Sequence, residues 1–170
     1  HLRDIAQRYV EKLYKAKIIR KSTSPFSSPL LLVRKPGVAK DKVPELPDFR
    51  CVHDFRKLNQ NTVLNSFPMR NMTEMLEEVA SGKIFTTADV NSGFWNQQLE
   101  EDSKKYTAFG LPSVGHFEYE KSAQGLANSS AAYQQLMDYV TQGLPRTYVY
   151  IDDVVLSHNT HEEHLAALKQ

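Results

Sequence analysis

Two adjacent carboxylates, Asp152 and Asp153, lie between two apolar segments that predict β-strands. Aspartate is common in turns, so a hairpin turn is one interpretation of the pair. A two-residue turn more often holds Asn-Gly or Asp-Gly, however, and two adjacent anions repel each other. A divalent cation would offset that repulsion, which makes a metal site the second interpretation.

A third carboxylate, Asp89, ends another predicted strand. If the two strands are neighbours in one sheet, Asp89 and Asp152 meet at the same edge. Magnesium prefers a few carboxylate oxygens completed by phosphate oxygens of the substrate. Two such ions about 4 Å apart can activate a hydroxyl nucleophile and stabilise a leaving phosphate. The three aspartates therefore predict metal-dependent phosphoryl transfer.

The elements that must position these carboxylates are predicted from apolar periodicity and from turn and capping residues. Four amphipathic segments predict helices, at residues 2–15, 71–82, 130–142 and 160–170. Shorter apolar runs predict strands at 30–33, 49–55, 84–89, 106–109, 116–119 and 147–156. The first two strands are expected to form a hairpin, and residues 38–48 are expected to form a loop. This mixture predicts an α+β fold, with a strand-rich lobe up to about Asn65 and then a sheet with helices packed on one face.

The net charge of +1 is the sum of a basic N-terminal part and an acidic C-terminal part. Residues 1–70 hold 15 Lys and Arg against 6 Asp and Glu, and residues 71–170 hold 6 against 14. A basic lobe beside an acidic region favours a polyanion as partner. No apolar run approaches the length of a membrane span, and one cysteine, Cys51, forms no internal disulfide. The chain begins with His1 and ends inside a predicted helix, so we expect it to be part of a longer protein.

Sequence blocks along nearly the whole chain, in order, resemble those of reverse transcriptases, specifically of gypsy-type LTR retrotransposons and retrovirus-like Pol polyproteins. The blocks are residues 24–35, 49–59, 87–94, 101–109, 124–134 and the Tyr-Ile-Asp-Asp sequence at 150–153. The resemblance implies the right-hand polymerase fold, with a mostly antiparallel palm sheet and an end before the palm is complete. It implies fingers at 1–65, including the N-terminal helix, and a palm at 66–170 with a returning fingers segment near 102–122.

The resemblance also implies an activity and an acidic centre. The activity is that of an RNA-directed DNA polymerase, a nucleotidyltransferase that adds deoxynucleotides to a primer 3′-hydroxyl. Asp89, Asp152 and Asp153 would be catalytic, and together with the backbone carbonyl of Val90 they would hold two Mg²⁺ ions, with Mn²⁺ as a substitute.

Further residues match family positions that handle the nucleotide and the template. Lys35 and Arg50 would hold the incoming triphosphate, since ammonium and guanidinium groups both suit phosphate. Phe94 would pack against C2′ of the sugar and exclude a 2′-hydroxyl. The remaining matches are Gln124 and Gly125 in the nucleotide pocket, Arg56 at the fingers or template phosphate, and Tyr150 near the primer terminus.

The partners implied are an RNA or DNA template with its primer, dNTPs, and the remaining palm, thumb and ribonuclease H segments of a parent polyprotein, with no membrane. The location implied is intracellular, in a cytoplasmic virus-like particle if the element is live. Because thumb and primer-gripping segments lie outside this sequence, we expect the isolated chain to polymerise weakly or not at all. The family usually has Pro at the positions of Ala123 and Ser130 and an aliphatic residue at His53.

Three alternatives stay open at this point. A palm polymerase that makes RNA would share the carboxylates, but Phe94 disfavours it because such an enzyme must accommodate the 2′-hydroxyl. A decayed or domesticated element would keep the fold as a catalytically inactive nucleic-acid-binding module. A generic metal-dependent phosphotransferase would leave the basic lobe unexplained.

Overall fold

The structure, a computed structural model, describes residues 2–38, 43 and 45–169. Its helices and strands confirm the α+β class. The helices are α1 (Leu2–Lys15), α2 (Arg56–Asn59), α3 (Met72–Ala80), α4 (Glu101–Lys104), α5 (Ser129–Val140) and α6 (His161–Ala167). The strands are β1 (Ile19–Lys21), β2 (Leu30–Arg34), β3 (Phe49–His53), β4 (Ile84–Asp89), β5 (Phe109–Leu111), β6 (Gly115–Tyr119), β7 (Thr147–Tyr150) and β8 (Asp153–His158).

The chain forms two compact units, each built from two separated segments. The first unit comprises residues 1–63 and 94–127, and the second comprises residues 64–93 and 128–170. All strand pairs in both units are antiparallel within the described residues. Non-consecutive pairing within each unit, such as β1 with β6 and β4 with β8, brings its two segments together.

The first unit holds a three-stranded sheet in the order β1-β6-β5 and the predicted β2-β3 hairpin. Apolar residues spaced at helical intervals on α1, with Val10 and Leu13 fully buried, pack into its core. Aromatic side chains from β5 and β6, including Phe109 and Tyr119, complete that core. Lys104 is buried at 3% exposure, and its ammonium donates to Glu101 and Glu120 at 2.7 Å each. The buried charge is thus paired, as burial requires.

The second unit holds a three-stranded sheet in the order β4-β8-β7. Helix α3 is joined to it through Ser157, whose hydroxyl donates to the Val79 carbonyl at 2.6 Å. Helix α6 is joined to it through His164, whose Nε2 lies 2.7 Å from the Thr86 hydroxyl. Helix α6 begins with a reciprocal capping box between Thr160 and Glu163.

Several expectations from the sequence need correction. The strand expected at 106–109 begins only at Phe109, because Lys105–Thr107 is a 3₁₀ turn whose Thr107 hydroxyl donates to the Lys104 carbonyl. The strand expected at 49–55 ends at His53. In the loop expected at 38–48, residues 39–42 and 44 lie outside the described residues, and Leu46–Asp48 is a 3₁₀ turn. The expected apolar face of α3 is buried only at Met75, while Met72 and Leu76 are exposed.

None of the helices in the described part of the chain is long and apolar enough to span a membrane.

Candidate active site

The three candidate catalytic aspartates lie at one end of the β4-β8-β7 sheet. Strand β4 is the direct neighbour of β8, and its last residue, Asp89, lies opposite Asp153, the first residue of β8. Tyr150, the last residue of β7, lies opposite the same Asp153. The amide of Val90 donates to the Asp152 carbonyl at 3.1 Å and extends the pairing past the end of β4. The sequence predicts that Asp89 meets Asp152; the register sets Asp89 opposite Asp153 instead, with Asp152 one residue earlier and bonded to Val90.

The hairpin between β7 and β8 turns at Ile151 and Asp152, so the two interpretations of the aspartate pair are compatible. Ile151 has φ of +58°, a left-handed conformation that is unusual for a β-branched residue. Its amide donates to Oε1 of Gln134 on α5 at 2.7 Å. The Nε2 of Gln134 donates to the Val149 carbonyl at 3.2 Å and to Asp138 at 2.9 Å. Gln134, 1% exposed, thereby fixes both sides of the turn that carries Asp152.

Tyr133, the neighbour of Gln134, is the second α5 residue at this end of the sheet. Its side chain is buried, and a Cβ at Gly93 would overlap its hydroxyl, so only glycine fits at position 93. Burial raises the pKa of the Tyr133 hydroxyl, and the negative charges of Asp152 and Asp89 raise it further. The phenol therefore stays protonated beside the carboxylates and can donate a hydrogen bond.

Gln134 and Tyr133 are functional candidates that sequence reasoning missed. Both lie in the block at 124–134, which was matched without a role for either residue. A glutamine and a tyrosine in an amphipathic helix look like ordinary helix residues. Their role depends on backbone groups and carboxylates in other segments, and no local pattern reports such contacts.

The carboxylates at this end of the sheet remain open to solvent. Asp89 and Asp153 are exposed, and Asp152 is half-buried. Within residues 2–38, 43 and 45–169, no group of three or more His, Cys, Asp or Glu side chains is arranged to hold a metal ion by itself.

The residues expected to contact the nucleotide lie in the first unit. Arg50 on β3 pairs with Val33 on β2, and Lys35 directly follows β2, so both lie toward the loop end of the hairpin. Both side chains are exposed. Gln124 and Gly125 form an exposed turn after β6, and Gly125 has φ of +94°, which favours glycine.

Phe94 and Arg56 lie elsewhere in the first unit. Phe94 is half-buried in a 3₁₀ turn at Gly93–Asn96, where its carbonyl accepts from the Gln97 amide at 3.2 Å. Arg56 begins α2, and its Nε and one terminal nitrogen donate to both carboxylate oxygens of Asp54, at 2.8 and 2.6 Å. The Arg56 side chain is nevertheless 85% exposed, so its outer face is available to a ligand.

Comparison with known families gives the context for these residues. Residues 33–170 match the family described as reverse transcriptase (RNA-dependent DNA polymerase). The chain belongs to the reverse transcriptase family. That assignment confirms the resemblance seen in the sequence blocks. Membership of this family implies, in general terms, a dependence on divalent metal ions.

Relatives of this reverse transcriptase chain include Pol polyproteins of transposons. It is 34% identical over 164 residues to the retrovirus-related Pol polyprotein from transposon gypsy of Drosophila melanogaster, covering 95% of this chain and 16% of that protein. It is 33% identical over 162 residues to the corresponding polyprotein from transposon 297 of the same fly, covering 94% of this chain and 15% of that protein. The chain thus spans about a sixth of the length of these relatives.

Solved structures confirm the polymerase fold. The foamy viral protease-reverse transcriptase in complex with an RNA/DNA hybrid superposes with a TM-score of 0.85 at 27% identity. The match covers 99% of this chain and 21% of that chain. The same viral enzyme in complex with double-stranded DNA gives a TM-score of 0.83 at 26% identity, covering 98% of this chain and 33% of that chain.

Proposed function

We propose that the chain is the fingers-and-palm part of an RNA-directed DNA polymerase that adds deoxynucleotides to a primer 3′-hydroxyl. The observation that carries the proposal is the register of the second unit's sheet, which sets Asp89 opposite Asp153 and joins Val90 to Asp152. Three carboxylates at the end of one rigid sheet suit phosphoryl transfer with divalent metal ions. Membership of the reverse transcriptase family supports the same activity.

Asp89, Asp152 and Asp153, with the carbonyl of Val90, would hold two Mg²⁺ ions, for which Mn²⁺ could substitute. The donor set fits: all are hard oxygens, and Mg²⁺ is commonly held by one or two carboxylates completed by substrate phosphates and water. A site completed by the substrate needs no preformed cage of three side chains. When bound, the ions would lower the pKa of the primer hydroxyl and neutralise the leaving pyrophosphate.

The chain's own groups would hold and orient the acidic centre. Gln134 would fix the turn before Asp152, and the protonated Tyr133 hydroxyl would donate toward the carboxylates. Tyr150, opposite Asp153 at the end of β7, would contact the primer terminus. On these grounds we propose the palm at residues 66–170, of which 66–93 and 128–170 lie in the second unit.

The first unit, which contains residues 1–63 of the proposed fingers and the returning segment near 102–122, would handle the nucleotide and the template. Lys35 and Arg50 would bind the triphosphate, Gln124 and Gly125 would line the nucleotide pocket, and Phe94 would exclude ribonucleotides. Arg56 would contact template phosphate with the part of its guanidinium that Asp54 leaves free. The side chains of Lys35, Arg50 and Gln124 are exposed and not packed in the core, which supports contact with a ligand.

The proposed partners are an RNA or DNA template with primer, dNTPs, and the further palm, thumb and ribonuclease H segments of a parent Pol polyprotein. Support comes from the relatives, which are several times longer than this chain. The proposed location is the cytoplasmic virus-like particle of a retrotransposon.

The test is primer extension on an RNA template by the parent protein that contains this chain, with dNTPs or ribonucleotides and with or without Mg²⁺. We expect metal-dependent incorporation of deoxynucleotides alone. Asp152→Asn should abolish it because one metal ligand loses its charge. Glu162→Gln, an exposed carboxylate in the first turn of α6, is the matched control and should retain activity.

Each other outcome has a defined meaning. Incorporation of ribonucleotides would indicate a polymerase that makes RNA. Template binding without any incorporation would indicate a domesticated binding module and refute the proposed activity.

A further inference from the structure

The turn at Gln124 and Gly125 is held at both ends by contacts within the first unit. Before the turn, Ala123 is buried at 1% exposure, and the Ser122 amide donates to the Gln97 carbonyl at 2.8 Å. After it, the side chain of Asn59 at the end of α2 holds the chain. The exposed Gln124 side chain therefore projects from a backbone that is fixed on both sides.

Asn59 uses both halves of its side-chain amide on this turn. Its Nδ2 donates to the Gly125 carbonyl at 2.8 Å, and its Oδ1 accepts from the Ala127 amide at 2.9 Å. This reciprocal pair spans 66 and 68 residues of sequence and satisfies a donor and an acceptor of one irregular segment. An aspartate would lose the donor, and an alanine would lose both bonds.

Asn59 is itself rigidly placed. Its backbone amide donates to the carbonyl of Phe55 at 2.8 Å, and Phe55 is a core residue at 2% exposure. A Cβ at Gly125 would lie 3.8 Å from the Phe55 ring and 3.9 Å from the His53 carbonyl, so the turn lies directly over this core. Gly125 has no Cβ, so its backbone can adopt several conformations. The bonds to the Asn59 side chain hold it in one of them, with φ of +94°.

We propose that Asn59 is a positioning residue that sets the Gln124–Gly125 turn, and thereby the Gln124 side chain, for the incoming deoxynucleotide. The inference rests on the proposed function, because Gln124 is assigned to the nucleotide pocket there. Asn59 touches no reacting atom. It acts through the backbone on either side of Gln124, so its loss should weaken nucleotide binding more than it slows chemistry.

The kinetic test uses Asn59→Ala in the parent protein, with primer extension measured over a range of dNTP concentrations. Loss of two ordinary hydrogen bonds predicts a rise in the KM for dNTP of about tenfold. The kcat should change by less than about threefold, since the aspartates are untouched. Asn61→Ala is the matched control: the Asn61 side chain donates at 2.8 Å to the Lys57 carbonyl and does not reach the turn, so KM should stay unchanged.

A double-mutant cycle separates positioning from general structural damage. In a Gln124→Ala background the effect of Asn59→Ala on KM should largely disappear, because the side chain it positions is gone. A full and additive effect in that background would overturn the proposal. Should Asn59→Ala fail to fold, Asn59→Asp keeps the acceptor for Ala127 and serves in the same cycle.

Hydrogen exchange provides a readout that does not depend on polymerisation. The Ala127 amide should exchange faster in Asn59→Ala than in the unmodified protein, and not in Asn61→Ala. Unchanged exchange at Ala127 would overturn the proposal, as would faster exchange with an unchanged KM. If the unmodified protein incorporates no nucleotide, the proposed function fails, while the exchange at Ala127 still decides whether Asn59 holds the turn.

Discussion

His53 in the first unit is a titratable residue placed where a hydrocarbon would pack. Its ring lies among Phe55, Phe109 and Tyr119, with centroid distances of 5.5, 4.3 and 5.4 Å. Neither ring nitrogen has a hydrogen-bond partner among the described residues. Burial lowers the pKa of His53 to about 4. An aliphatic side chain, which the resemblance to the family implies for this position, would fill such a cage without burying a polar group.

The pKa of His53 predicts a specific acid sensitivity. The unfolded chain protonates His53 below about pH 6.5 while the folded state resists down to about pH 4, so stability falls as the pH drops through this window. The loss should approach about 3 kcal/mol below pH 4. His53→Leu should remove this component, as measured by urea unfolding at pH 7, 5.5 and 4.5.

His161, an exposed ring at the start of α6, supplies the control for that experiment. His161→Gln should follow the pH dependence of the unmodified protein. Stability curves of His53→Leu and the unmodified protein that stay parallel from pH 7 to 4.5 would show that His53 carries no such penalty.

Phe94 tests the proposed exclusion of ribonucleotides. If its ring fills the space that a 2′-hydroxyl would need, Phe94→Val should accept ribonucleotides while keeping deoxynucleotide incorporation, because specificity here depends on a steric clash. The measurement is the ratio of kcat/KM for a deoxynucleotide to that for its ribonucleotide. Phe85→Val, an exposed aromatic on β4, is the control. An unchanged ratio in Phe94→Val would refute the role.

Sequence reasoning found the carboxylates but not the side-chain amides of Gln134 and Asn59, which hold the Asp152 turn and the Gln124–Gly125 turn respectively. Asp152 and Asp153 are conspicuous because adjacent anions between apolar segments are unusual, and the pattern is entirely local. Gln134 and Asn59 bind backbone groups of segments up to 68 residues away. These partners come together only when the chain folds, so the composition and the residue spacing do not predict the contacts.

At the scale of elements, Gln134 of α5 hydrogen-bonds to both sides of the turn between β7 and β8. Ile151 is held in a left-handed conformation whose cost, about 1–2 kcal/mol, must be offset by contacts such as the bond from its amide to Gln134. The hairpin therefore keeps its shape because α5 supplies an acceptor at that position.

Removing this acceptor should be costly. Gln134→Ala leaves a partly buried backbone amide without a partner, which predicts a loss of about 1–3 kcal/mol in the free energy of unfolding. It should also lower kcat, since Asp152 directly follows Ile151. The comparison is Gln135→Ala, an exposed neighbour on the same helix. Equal destabilisation by the two variants in urea unfolding would argue against the clamp.

Most of the longer elements were predictable from the sequence, whereas β1, α2 and α4 were not. Helices α1 and α5 and strand β4 follow from apolar periodicity close to their observed bounds. Strand β1 (Ile19–Lys21) has three residues and only one that is buried, which is too few to show alternation. It exists because β6 pairs with it. Helices α2 and α4 have four residues each, which is likewise too few to show a periodic pattern.

For the whole molecule, the distribution of charge and the length of the relatives bear on activity. Affinity for nucleic acid depends on how many phosphates a protein neutralises. This chain has a net charge of +1, with its excess of Lys and Arg confined to residues 1–70. The chain covers only about a sixth of the length of its Pol polyprotein relatives.

We therefore expect the 170-residue chain alone to bind primer–template weakly and to extend it poorly. Fluorescence anisotropy with a labelled primer–template, followed over a salt series, measures the binding, and primer extension measures the activity. The parent protein serves as the positive control. Processive synthesis by the chain alone would contradict this expectation.

The interleaving of the two units has a consequence for how the protein is made. Ile19 pairs with Tyr119, so at about 5–20 residues per second β1 leaves the ribosome about 5–20 s before its partner strand. A nascent chain that has reached residue 127 contains all of the first unit but only residues 64–93 of the second. The first unit can therefore fold during translation, while β4 emerges early and waits unpaired until β8 is synthesised. During that interval β4 exposes the apolar side chains of Ile84 and Phe85 on a strand that has no partner yet.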